Sequence, residues 1–140
     1  MEGKIVALYM PLRGEPLRFI IHRKLTWDRE ALDIYRCATL GGLIAKTLEV
    51  LGAAVPDLMS RLQQLDDEEF QKSPHKTRRY IADRRDLLYI NAPHLTEKHS
   101  LHVLDCWVAT NVNRKVANHI IWLACKAAGI KRENVTRLAV

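Results

Sequence analysis

Hydrophobic and polar positions alternate in the first quarter of the chain and recur at helical spacing after it. Lys4–Met10 and Leu17–Leu25 are β-rich runs around Pro11-Leu12-Arg13-Gly14-Glu15-Pro16, a loop with two prolines and a glycine. In the second run Leu17, Phe19, Ile21 and Leu25 share one face, with Arg18, His22 and Lys24 on the other. A helix competes for this segment, but the prolines favour strands, so a β-hairpin is predicted over residues 4–25.

Beyond Thr26 the spacing turns helical. Asp28 and Glu30 fall in a first turn, where carboxylates complement the helix dipole. The segment runs to about Leu40, meets Gly41-Gly42 and resumes through Leu43, Ile44, Thr47, Leu48 and Leu51. Gly52 offers a stop and Pro56 a new start, after which Leu58, Met59, Leu62 and Leu65 recur helically. Asp66-Asp67-Glu68-Glu69 closes an acidic helical block over 27–70, and Gln71-Lys72-Ser73-Pro74-His75-Lys76 reads as a linker. A basic helical block over 77–130 follows, with helices expected near 77–90, 96–111 and 113–128. Asn91-Ala92-Pro93 separates the first two, Thr96 caps the second, and Gly129 with Ile130 ends the third. The prediction is one small, mainly α-helical domain of five to six helices with an N-terminal β-hairpin.

Composition supports a folded domain: 140 residues with 48% hydrophobic and 27% charged content can bury a core without staples. No apolar run approaches the roughly 20 residues of a spanning helix, so no membrane partner is expected. Glu2 before the short N-terminal apolar stretch, and Pro11, Arg13 and Glu15 after it, make a poor signal peptide. Cys37, Cys106 and Cys125, odd in number and far apart, suit buried thiols in a reducing compartment, hence an intracellular, cytoplasmic protein.

Charge changes the picture more than composition does. Residues 1–36, 37–71 and 72–140 carry +2, −4 and +8, which add to the formal +6. Such asymmetry concerns partners rather than topology, and the plainest partner for the basic half is a polyanion. On a helical wheel of 113–128, Val116, Ala117, Ile120, Leu123, Ala124, Ala127 and Ala128 form a core arc. Lys115, Asn118, His119, Trp122 and Lys126 form the opposite one. Trp122 between lysines can stack on a base or anchor a protein interface, unless another element covers it. Along 77–90, Tyr80, Ile81, Leu87 and Leu88 face inward and Arg78, Arg85 and Tyr89 share a flank. Arg79 can pair with Asp83, whereas Arg78 and Arg85 lack an acidic residue three or four positions away; they suit phosphate, or a solvated face. Arg84 snorkels from the apolar face or makes a structural ion pair. Lys131 and Arg132 open a short basic tail.

Other chemistries fare worse. A helix-turn-helix over 43–65 would put four acidic residues behind its reading helix, where phosphates are repelled. His102 and Cys106, four apart, could share a zinc ion, but His99 lies about 10 Å from Cys106 along a helix. Beyond this cluster, which His94 precedes, His119, Cys125 or Cys37 would have to complete the set, and neither CxxC nor HxxxH is present, so neither metal nor cofactor is expected. There is no GxGxxG, P-loop, GxSxG or HExxH, and Cys106 beside a histidine lacks an orienting third group, so no enzyme is expected.

The expectation is a non-catalytic nucleic-acid-binding or regulatory protein, for DNA or RNA. Its basic helical face would comprise Arg78, Arg85, Tyr89, Lys115, His119, Trp122, Lys126, Lys131 and Arg132. The alternatives are an adaptor or inhibitor docking an acidic protein, or a self-assembling homo-oligomer whose acidic block meets another copy's basic half.

Overall fold

Alternation persists further along the chain than the helical spacing suggested. In the computed structural model, which describes residues 3–10, 14–26, 28–73, 79–90 and 92–136, β1 (Lys4–Tyr9) pairs antiparallel with β2 (Arg18–Thr26). Leu8 stands opposite Ile21, and Tyr9 opposite Ile20. The helix expected from residue 27 is instead a third strand, β3 (Arg29–Arg36), antiparallel to β2. Asp28, read as a first-turn carboxylate, accepts a hydrogen bond from the Thr26 hydroxyl at 2.8 Å beside the β2–β3 turn. Pairing with β2 across so short a connection outweighs weak local helix preference, and Leu32, Ile34 and Tyr35 suit a pleated surface.

The first helix, α1 (Leu40–Ala54), begins at Thr39, whose hydroxyl accepts from the Gly42 amide at 3.0 Å. Gly41 and Gly42 thus form its first turn, and it runs through Gly52 rather than stopping there. Gly52 serves packing: a Cβ there would stand 2.4 Å from Leu104 Cδ1. A second helix, α2 (Leu58–Lys72), turns Leu58, Met59, Leu62 and Asp66 inward.

The basic half departs most from prediction. The helices expected at 77–90 and 96–111 are absent; β4 (Ile81–Ala82), β5 (Ser100–Val103) and β6 (Cys106–Ala109) form a sheet ordered β4-β6-β5, joined by short 3-10 turns. The buried Asp66 carboxylate accepts from the amides of Tyr80 at 2.8 Å and Ile81 at 3.1 Å, fixing the chain extended as it enters β4. Those amides would be bonded within any helix over 77–90. Downstream, α3 (Arg114–Ala127) starts at Asn113, whose side chain caps the Val116 amide at 2.8 Å. After α3, Gly129 at φ +77° lets Ile130 donate to the Cys125 carbonyl at 3.0 Å, a Schellman closure that turns the chain back. Finally β7 (Val135–Thr136) lies parallel to β1, with Thr136 opposite Tyr9.

The described residues therefore form an α/β fold of three α-helices and two sheets, ordered β3-β2-β1-β7 and β4-β6-β5, which corrects the mainly α assignment of five to six helices. Leu8, Phe19 and Ile21 from the larger sheet share the core with Leu43, Ile44, Leu48 and Leu51 of α1 and with Ile120, Ile121 and Ala124 of α3. Each such large side chain contributes about 1.5–3 kcal/mol by leaving water. No helix among the described residues is long and apolar enough to cross a membrane.

Candidate nucleic-acid interface

The charge blocks meet inside the molecule. Asp66, Asp67 and Glu69 of α2 take up, respectively, the Tyr80 and Ile81 amides, the Arg79 guanidinium, and His119. Three of the four acids of the run thereby fasten α2 to the strands and helix that follow. What remains for a partner is the set of cations left over.

The predicted residues separate into two groups. Arg85 and Tyr89 are part of the packing around the smaller sheet. Arg85 Nε donates to the Ser100 hydroxyl at 2.8 Å and Nη2 to the Glu97 carbonyl at 2.9 Å, while its guanidinium lies 4.8 Å from the Trp107 ring centre. Tyr89 is only 2% exposed. Its hydroxyl donates to the His99 carbonyl at 2.7 Å and accepts from the Asn111 amide at 3.2 Å. Two of the three Arg85 guanidinium nitrogens and the Tyr89 hydroxyl are thus held by their own chain, and Arg78 lies outside the described residues. Arg84, in turn, pairs with Asp86 at 2.6 Å on the surface.

The second group stays together. Ala117, Ile120, Leu123, Ala124 and Ala127 bury one side of α3, which leaves Lys115, His119, Trp122 and Lys126 along the other. His119 is a clasp rather than a contact residue, because its Nε2 lies 2.9 and 2.7 Å from the two Glu69 carboxylate oxygens. Trp122 is half-buried, and it borders a recess of about 10 Å³ with Met10, Ile121, Arg132, Val135 and Thr136. That volume has room for about one water, not for a base. The Schellman turn brings Arg132 back over the indole, its guanidinium 5.5 Å from the ring centre. Lys115, Lys126, Lys131 and Arg132 make no ion pair among the described residues, and Lys115, Lys126, Lys131 and Arg132 are all exposed.

Metal and thiol chemistry find no support in this geometry. His102 and Cys106 sit on the β5–β6 hairpin, opposite Trp107 and Val103 respectively. Among the described residues no three His, Cys, Asp or Glu side chains gather closely enough to hold a metal ion. Burial, then the carboxylates of Asp105 and Asp83, push the Cys106 thiol up from its ordinary value, the reverse of an activated nucleophile. A polar cleft of about 500 Å³ between α2 and β4 is lined by Gln63, Gln64, Leu87 and Ile90 and bridged by the Asp67–Arg79 ion pair.

Two features escaped the sequence reading. Asp66, one of the four acids that close the acidic block, is fully buried; its place four residues after Leu62, itself four after Leu58, is the signal the sequence carries. Tyr9, Leu32 and Ile34 are 39%, 65% and 51% exposed on the outer face of the larger sheet, a surface that did not exist while β3 was read as a helix. No family model, curated protein or solved structure matches this chain.

Proposed function

We propose that the protein binds nucleic acid without catalysis, gripping the phosphate backbone with Lys115, Lys126, Lys131 and Arg132. One observation carries this reading: Arg132 rests on the Trp122 ring with no carboxylate partner among the described residues. An arginine braced on an aromatic ring loses little side-chain freedom when it meets a phosphate, and its planar fork matches phosphate oxygens. The role of Trp122 shifts accordingly, from stacking on a base to supporting the arginine. From Lys115 to Lys126 is about 16 Å along α3, a span over which one strand of a duplex offers about five phosphates. Contacts of this kind position the protein without reading sequence.

The reading is tested by titrating a labelled oligonucleotide of mixed sequence across a salt series. Four phosphate contacts give a log–log slope of about −3 to −4. Absence of binding at low salt contradicts the reading, and retention of a single acidic protein by a preparation that ignores oligonucleotides would move the surface to protein docking.

A further inference from the structure

The outer edge of β3 is open among the described residues, because the larger sheet is ordered β3-β2-β1-β7. An eight-residue edge is long for a strand left unpaired, and although natural edges are blunted by charged side chains, proline or bulges, the charges here are of both signs about the strand's centre. This one carries Arg29-Glu30-Ala31-Leu32-Asp33-Ile34-Tyr35-Arg36, with the aliphatic Leu32 and Ile34 at 65% and 51% exposure. Its pattern is self-complementary. We propose that β3 pairs antiparallel with β3 of a second copy about a two-fold axis at Asp33, joining the two sheets into one.

In that register Leu32 stands opposite Ile34 of the other copy, and Glu30 opposite Arg36, each twice by symmetry. A shift of two residues one way sets Glu30 against Ile34; the other way sets Leu32 against Arg36. A shift of one residue turns the outer face of one copy against the inner face of the other. Only the register centred on Asp33 matches both the apolar and the charged pairs.

Charge supports the same choice. Arg36 stands directly opposite Arg18 on β2, an unfavourable like-charge pair. Arg18 has Glu15 at 3.0 Å, whereas Arg36 has no carboxylate partner among the described residues. Glu30 of a second copy supplies one, while Glu30 also keeps His22 Nε2 at 3.2 Å within its own chain. At the axis the two Asp33 carboxylates approach each other, and each is already held by its own Arg23 at 3.0 Å. On the inner face the small Ala31 of each copy stands opposite Tyr35 of the other.

The test is sedimentation equilibrium of the full chain over a concentration series. The wild type is expected to dimerise, and Ile34→Lys, at an exposed position, to remain folded by circular dichroism and monomeric. Glu30→Arg and Arg36→Glu should each weaken the dimer about tenfold, since each turns two cross-strand attractions into repulsions. The double variant Glu30→Arg/Arg36→Glu should return to near wild-type affinity. A wild type that stays monomeric to about 1 mM overturns the proposal. So does a dimer indifferent to Ile34→Lys, or a double variant no tighter than the single ones.

Discussion

Two clusters in the basic half set an arginine against a tryptophan, and they point opposite ways. Around the smaller sheet, Arg85 lies over Trp107 with its Nε and Nη2 donors engaged by Ser100 and the Glu97 carbonyl, and the neighbouring Tyr89 hydroxyl is held by His99 and Asn111. At the end of α3, Arg132 lies over Trp122 with no ion-pair partner among the described residues, beside the exposed Lys126 and Lys131. Composition is nearly the same in both. The difference lies in where the donors go: a guanidinium bound to its own chain's oxygens is structural, and one braced on a ring with free donors is available.

Tyr89→Ala should cost about 3–5 kcal/mol of stability by emptying a buried aromatic site, and Tyr89→Phe about 1 kcal/mol by removing the hydroxyl bonds to the His99 carbonyl, which keeps the Thr110 amide at 2.9 Å, and to the Asn111 amide. Urea melts measure both, and oligonucleotide affinity per folded molecule should not move. A Tyr89→Ala protein of wild-type stability but weakened binding would reverse the assignment of the two clusters.

The two faces of α3 should also separate with pH. Cys125, on the inner face beside outward-facing Lys126, has its thiol pushed up from 9.0 to about 12 by burial. Because the folded value is the higher one, this contribution is complete below about pH 9 and is lost as pH climbs through the folded value. Unfolded chains then ionise first, and stability should fall at about 1.4 kcal/mol per pH unit. Burial raises the Cys37 and Cys106 thiols in the same direction. Urea midpoints taken between pH 8 and 11 should therefore decline, and less steeply in Cys125→Ala. An unchanged slope in that variant would mean the thiol is not the titrating group.

Arg85→Ala should lose about 1–2 kcal/mol of stability, by analogy with other side-chain hydrogen bonds, and leave binding intact. Arg132→Ala should do the reverse, holding stability within about 0.5 kcal/mol and flattening the salt dependence by about 0.9 in log–log slope. Thermal melts and anisotropy titrations on the same preparations distinguish the two.

How much of this could be read in advance depended on how local the cause was. The Gly129-Ile130 cap lies within a few residues of α3, and the arcs of α3 follow from one helical period, so both were visible in sequence. The same was true of the alternation in β2. The strands β3, β4, β5 and β6 were not, because their partners decide them: Ile81 meets Val108 across 26 intervening positions of chain that themselves resemble helix. Charge misled for a related reason. Asp67 pairs with Arg79 across elements, so a tally by block along the chain overstated how separate the two charges are in space. Arg85 looked unpaired because a sequence does not reveal backbone carbonyls or serine hydroxyls brought near by folding.

On the proposed reading the braced Arg132 and the neighbouring lysines form the phosphate-binding surface. The most direct measurement compares the oligonucleotide salt slope of the wild type with that of Lys126→Ala/Lys131→Ala/Arg132→Ala, after melting shows both equally folded. Loss of three contacts should flatten the slope by about 2–3 and nearly abolish binding at moderate salt. A triple variant that binds with the wild-type slope would contradict the claim.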